Sequence, residues 1–326
     1  MKCLERKKGD NMLTFLGDIA LISTHTRSEY KPAHQYVFNC EYVIGERSEM
    51  IPVPGKINLS GTDCDFQKVF GKQPTAVTLS NNHINDFGRQ GYENTVNSLK
   101  SQGIKIAAGE LLWIGNICLL SYMDLDSGNG LDQNFIFKKK VAHDQIRTAK
   151  ENKYARIVVL IHWGIENNPN PTKRQISNAH WLIDEGVDLI IGHHPHCVQK
   201  VEEYKGKYIF YSLGNGLFPP INQPSHYDNN GRPTRIYRFK WQNWNRKSYA
   251  VTIDDKAQVI KVETLIQTKD SVLKSTGDVD LKSIILEKDY PKWVYRFRKY
   301  YLFFISNCFV DGKLFDIKAI KAEMKK

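Results

Sequence analysis

A short apolar run, Val187-Asp188-Leu189-Ile190-Ile191-Gly192, empties into His193-His194-Pro195-His196. That places three imidazoles within four residues. An apolar run of strand length that stops at a glycine reads as a buried strand, and the loop past such a strand is where ligands and catalytic groups are mounted. Pro195 fixes its own φ and disfavours the helical region for His194 before it, so both flanking imidazoles are restricted in advance. Neutral imidazole is a common nitrogen ligand for zinc, iron and manganese. The chain must therefore fold so that partners for these histidines arrive at the same strand end.

Four other apolar runs end in the same way. Residues 12–16 lead into Gly17-Asp18, although an aspartate there also suits an ordinary turn or helix N-cap. Residues 36–44 read as one buried strand interrupted by Asn39 and Glu41, which two-residue alternation puts on one face. A carboxylate inside such a run is costly unless a cation or donor compensates it, which marks Glu41 as functional. Residues 75–79 precede Ser80-Asn81-Asn82-His83-Ile84-Asn85-Asp86-Phe87-Gly88, and a helix is expected over 89–102. Asn81 and Asn85 also suit a turn for purely local reasons. Residues 157–161 are the most strand-like in the chain and end in His162-Trp163-Gly164-Ile165-Glu166.

Between these blocks, residues 104–107, 117–123, 197–204 and 208–213 read as strands. Residues 142–152 and 171–185 read as helices, the second with His180 on its core stripe and Gly186 as its cap. Gly214-Asn215-Gly216 is a turn able to approach the site. Residues 219–235, rich in Pro, Asn and Gly, read as a long surface loop able to act as a lid. Residues 235–241, 248–254 and 257–268 alternate apolar and polar side chains, as an antiparallel sheet does.

At 326 residues with 41% hydrophobic side chains, the chain can bury a large core. We read one catalytic domain over 12–270 and a basic, aromatic helical extension over 271–326. The six cysteines form no CxxC pair, so neither a disulfide framework nor a cysteine zinc site is indicated. No run approaches the ~20 apolar residues of a membrane span. A cytoplasmic location is the expectation. The net charge of +11 sits at the two ends, +3 in residues 1–8 and +6 in 281–326. That distribution favours an anionic partner at the termini over a basic catalytic surface, and no specific nucleic acid is indicated. After Pro291, Trp293, Phe297, Tyr300, Tyr301 and Phe304 recur at helical spacing among Lys292, Arg296, Arg298 and Lys299. Such a stripe usually packs on its own domain; the competing reading is peripheral contact with a membrane surface.

Asp18, Asn39, Glu41, Asn82, His83, His162, His194 and His196 all follow apolar runs, so a layered α/β fold would gather them at one sheet edge. Mixed nitrogen and oxygen donors with a carboxylate able to bridge suit one or two divalent ions, Mn, Fe or Zn, and such sites hydrolyse by activating water. The order and spacing of the blocks, with Tyr211-Ser212-Leu213-Gly214-Asn215 as the last, resemble the calcineurin-like metallophosphoesterase superfamily. Within it they resemble the CapA-type family named for poly-γ-glutamate capsule synthesis, over about residues 12–218. The resemblance implies a four-layer αββα sandwich of mixed β-sheets flanked by helices. It implies Asp18 and His196 on one metal, Glu41 bridging, Asn82, His162 and His194 on the other, and His83 as proton donor to the leaving group. Asn39, Asn81, Glu166, His193, Ser212 and Asn215 are the expected supporting or substrate-binding residues. The chain departs from the wider superfamily at Ala20, where a histidine is usual, and at Gly216, where phenylalanine is usual; His193 is placed to compensate for the first. The implied function is a metal-dependent hydrolase in capsule or surface-polymer metabolism, acting on an anionic polymer or phosphorylated substrate. Attack at a γ-glutamyl amide and a non-catalytic polymer-binding role are the alternatives.

Overall fold

The computed structural model describes residues 12–23, 26–54, 56–62, 65–125, 135–228, 230, 232–285 and 289–307. Two large sheets stack face to face. The nine-stranded sheet is centred on Leu13–Ile19, flanked by parallel Gln35–Cys40 on one side and antiparallel Lys247–Ile253 on the other. The six-stranded sheet is built around Ile117–Asp124, Arg156–Trp163 and Leu189–His193, which run parallel.

Period-two alternation sorts each strand between two cores. Leu13, Phe15, Val37 and Ala76 point inward, against Leu119, Val158, Leu160 and Ile191 of the other sheet. Their sequence neighbours Tyr36, Phe38 and Val77 point outward, against Phe66, Phe70 and Leu99 of the helices Phe66–Phe70 and Gly88–Ser101. On the far side Val159, Ile161 and Ile190 pack on Ala142, Ile146, Ala179 and Leu182 of the helices Lys139–Lys150 and Lys173–Asp184. The result is the expected αββα order, and the strands buried on both faces read as continuous apolar runs for that reason.

The register lines up the polar strand ends. Asp18 lies beside Asn39 on one side and Asn215 on the other. His162 lies beside His193 in the second sheet. Gly17 permits this convergence, because a Cβ there would stand 1.9 Å from the carbonyl oxygen of Gly214. Any side chain at 17 would push the Asn215 strand away from Asp18.

Several expectations are corrected. Residues 36–44 are not one strand: the ladder stops at Cys40, Glu41 follows it, and Val43–Ile44 pairs instead with Ser60–Gly61. Glu41 therefore sits at a strand end like the other site residues. Residues 219–235 are not a loop. They form most of a hairpin, Ile221–Tyr227 with Pro233–Phe239, tied down where Arg47 donates to Gln223 Oε1 at 2.7 Å and to the Pro224 carbonyl at 3.1 Å. Pro224 is tolerated because this ribbon has two strands and hence only edges. The main sheet also runs past residue 271, since Val272–Asp278 pairs with Val259–Gln267 and with Arg27–Ser28.

Most of the aromatic stripe of the C-terminal helix Lys292–Asn307 faces away from the domain, and Tyr301 alone of its described side chains meets a domain ring, edge-on to Trp244 at 6.0 Å between centroids. Trp293, Phe297 and Tyr300 are 65%, 55% and 45% exposed, and the inward face carries Val294, Tyr295, Arg298 and Leu302 instead. A stripe one residue along at the same period explains the difference. The side chain of Phe304 lies outside the described residues, as do residues 1–8 and 308–326, which hold much of the end charge. Among the described residues no helix is long and apolar enough to cross a membrane.

Candidate metal centre

Asp18, Asn39 and Glu41 come from the first sheet and His162, His193, His194 and His196 from the second, and all seven are buried. Asn39 Nδ2 sits between the two carboxylates, 2.9 Å from Asp18 Oδ1 and 3.2 Å from Glu41 Oε2. Asn81 holds Asn39 in turn, with its Nδ2 2.9 Å from Asn39 Oδ1 and 2.8 Å from the Cys40 carbonyl. Both asparagines thus orient carboxylates without needing to bind an ion.

Two three-residue clusters share Glu41. Asp18, Glu41 and His196 form one; Glu41, His162 and His194 form the other; within each, the donor atoms lie within 4.8 Å of one another. Glu41 Oε1 is 3.5 Å from His196 Nε2 and 3.7 Å from His162 Nε2, yet it makes no hydrogen bond. His194 Nδ1 is likewise buried without a partner. An orphaned carboxylate oxygen and an orphaned imidazole nitrogen facing a shared space are what an ion-binding donor set looks like when the fold alone cannot satisfy it. The residues present therefore fit one or two divalent ions.

Asn82 brings Oδ1 to 2.7 Å from His162 Nε2, beside the second cluster. His193, the expected substitute for the missing histidine at position 20, belongs to neither cluster, and its Nδ1 lies 3.0 Å from Asp18 Oδ1. Its role is to orient that carboxylate. The first cluster thus has one imidazole where the second has two.

The histidine loop is held under strain. His194 and His196 adopt positive φ values of 95° and 52° on either side of Pro195, a conformation that costs about 1–3 kcal/mol per non-glycine residue and persists only where the surroundings impose it. Asn215 Oδ1 lies 2.9 Å from His196 Nδ1, which leaves Nε2 of that ring facing Glu41. Phe218 and Trp241 pack against the same ring, at 5.3 Å and 5.0 Å between centroids. Asn245 donates to the His196 carbonyl at 2.8 Å and to Asn167 Oδ1 at 2.7 Å. Ser212 braces the preceding turn by accepting from the Gly214 amide at 3.2 Å.

Sequence reading missed Trp241, Phe218, Asn167 and Asn245. It also missed the support of His83. Nδ1 of His83 lies 2.7 Å from Asp86 Oδ2, while Lys56 forms an ion pair with the other oxygen of Asp86 and donates to the Asn82 carbonyl at 2.7 Å. The three-residue spacing of His83 and Asp86 on a turn was a usable signal for that contact; nothing in sequence pointed to Lys56.

The electrostatics separate the two carboxylates. Burial alone would raise Asp18, but the hydrogen bond and charge of His193, with His196 and Asn39, outweigh it and hold its carboxyl below the ordinary value. Burial raises Glu41 well above its ordinary value, and the carboxylates of Asp18, Glu166 and Asp86 push the same way. His162 is pushed well below its ordinary value by burial and by the neighbouring imidazoles. His194 is lowered to about 4, by burial first, with Glu166 opposing and His196 adding to the fall. Both histidines are therefore neutral at pH 7, the form that binds metal.

A pH dependence follows for the metal-free protein. The folded value of His194 lies below the unfolded one, so its contribution to stability is present above about pH 6.5 and is lost as pH falls toward 4. The loss is on the order of 3 kcal/mol. Denaturant unfolding of chelator-treated protein at pH 7 and pH 4.5 is expected to show most of this loss, and His194→Asn to reduce it. A flat profile would show that the imidazole is not buried as described.

The sequence profile of the bacterial capsule synthesis protein PGA_cap matches residues 8–110 and 123–220, a span that contains both clusters and His83. The chain belongs to that family. PGA_cap proteins fall in the metallophosphoesterase-like superfamily, in agreement with the layered fold. The capsule biosynthesis protein CapA of Bacillus anthracis is 28% identical over 246 residues, 63% of this chain and 59% of that protein. The PGA biosynthesis protein CapA of Bacillus subtilis is 36% identical over 168 residues, 44% of this chain and 42% of that protein. The chain thus spans about half the length of these relatives. The C-terminal helix lies beyond the PGA_cap match.

Proposed function

We propose that the chain is a metal-dependent hydrolase of the phosphoesterase kind, working in capsule or poly-γ-glutamate metabolism on an anionic polymer or a phosphorylated precursor of one. The observation that carries this reading is Glu41, a buried carboxylate shared by two donor clusters with one oxygen left without a hydrogen bond. Family membership supplies the polymer context.

Asp18, Glu41 and His196 would hold one ion, and Glu41, Asn82, His162 and His194 the other. Ions bound there supply a Lewis acid for a phosphoryl or acyl oxygen and lower the pKa of water. The protein supplies the rest. Asn39 and His193 fix the carboxylates so that they need not reorganise. His83, with Nδ1 committed to Asp86, keeps Nε2 for delivering a proton to the leaving oxygen.

The test is metal content and hydrolysis measured together. His162→Ala and His194→Ala are each expected to lose bound manganese, iron or zinc while keeping a cooperative unfolding transition. The wild-type protein is expected to hydrolyse an alkyl phosphoester in the presence of the same metal. Full metal content in either variant would remove the ligand assignment. Cleavage of a γ-glutamyl amide with no phosphoester hydrolysis would move the reaction to the amide.

A further inference from the structure

Behind the histidine loop lies a second pocket, of about 150 Å³, closed on one side by the C-terminal helix. Lys200, Lys247 and Arg298 all line it. Lys200 pairs with Asp289 at 3.4 Å, whereas neither Lys247 nor Arg298 pairs with a carboxylate among the described residues. The Arg298 guanidinium is held against two aromatic rings, 5.1 Å from the centroid of Trp244 and 5.7 Å from that of Tyr290. Such packing fixes the plane of the group; part of its edge is engaged by the Cys197 side chain, and the rest is left for hydrogen bonding.

The wall is also fixed. Asn170 Nδ2 donates to the Tyr290 carbonyl at 2.6 Å, and the Tyr290 amide donates to Asn170 Oδ1 at 2.8 Å. Trp244 connects the pocket to the metal centre: its indole nitrogen is 3.4 Å from Asn167 Oδ1, and the Asn167 amide donates to the Pro195 carbonyl at 2.8 Å, between the ligand candidates His194 and His196. Two cations without a carboxylate partner in one partly polar recess repel each other and lose hydration unless an anion joins them.

We propose that this pocket is an anion subsite that binds a carboxylate of a γ-linked glutamyl chain whose neighbouring units reach the metal centre. The proposal rests on the polymer reading given above and names the substrate feature that the chain recognises outside its reacting group. A planar carboxylate matches the guanidinium edge with two parallel hydrogen bonds, and Lys247 adds a point charge. A polymer with one carboxylate per unit can occupy both places at once. Its affinity should therefore rise with length, because the second contact is made within one complex.

The test is calorimetric titration of the full-length, metal-loaded protein with a γ-linked glutamyl decamer, with free glutamate and with inorganic phosphate. Arg298→Ala and Lys247→Ala are each expected to weaken decamer binding about tenfold. Arg298→Lys should recover part of the loss, Lys153→Ala, on an exposed surface elsewhere, should change nothing, and metal content should stay at the wild-type value in all four. Two independent pocket variants keep the result interpretable if one fails to fold. Unchanged decamer affinity in both alanine variants would overturn the proposal. So would displacement of the decamer by phosphate or glutamate at equal anion concentration, since the pocket would then be a general anion site. If the decamer binds through Arg298 while the protein hydrolyses nothing, the subsite stands and the hydrolase reading falls.

Discussion

His83→Asn is expected to lower turnover by about 10²–10⁴-fold, the range for a lost general acid, without changing metal content. The geometry accounts for both halves of that expectation. His83 belongs to neither donor cluster, and its Nδ1 is taken by Asp86, whose Oδ2 also accepts the Leu59 amide at 2.5 Å. The ring is thus anchored from the side away from the reaction, and asparagine can replace its volume without removing an ion ligand. The loss should depend on the leaving group: an aryl phosphate, whose phenolate needs little protonation, should lose much less rate than an alkyl phosphate. Equal losses on the two substrates would remove the proton-donor role, and loss of metal would make His83 a ligand.

Glu41→Gln is expected to have a larger effect on the ions than any single histidine change. Losing even a residue that merely orients a ligand costs about 10–100-fold in metal affinity, so a carboxylate shared by two clusters should cost at least on the order of 100-fold at both. The metal-free fold should tolerate the change. Burial and the nearby carboxylates push Glu41 well above its ordinary pKa, which favours its neutral form in the metal-free fold, and glutamine copies the shape of that form. The melting temperature of chelator-treated protein should therefore match wild type, and the difference between the two should appear only on adding metal.

The chemistry was legible in sequence because it sits at the ends of apolar runs, and such runs announce buried strands whatever the fold. Asp18, His162 and the histidine loop follow that rule, and parallel pairing of their strands brings them to one edge. Glu41 was legible for a different reason, as a charge inside an apolar run, although the run proved to be two strands with Glu41 at the break. What escaped was support from distant segments. Trp241 and Asn245 reach His196 from a region whose composition suggested a loop and a sheet, and only the folded hairpin and the short helix Asn243–Arg246 place them there. The C-terminal stripe was misread because aromatic periodicity shows that a helix has two faces without showing which one is buried. There Arg298 lies over the domain's Trp244, and of the aromatic row only Tyr301 reaches the same ring while Trp293, Phe297 and Tyr300 stay exposed.

The central claim is that Glu41 joins two ion sites, and metal stoichiometry by mass spectrometry tests it most directly. Wild type, His194→Ala and Glu41→Gln would each be loaded with manganese and freed of excess. More than one ion per chain is expected in the wild type, loss of an ion in His194→Ala, and no retained ion in Glu41→Gln. No stoichiometric metal in the wild type, or full occupancy in Glu41→Gln, would contradict it.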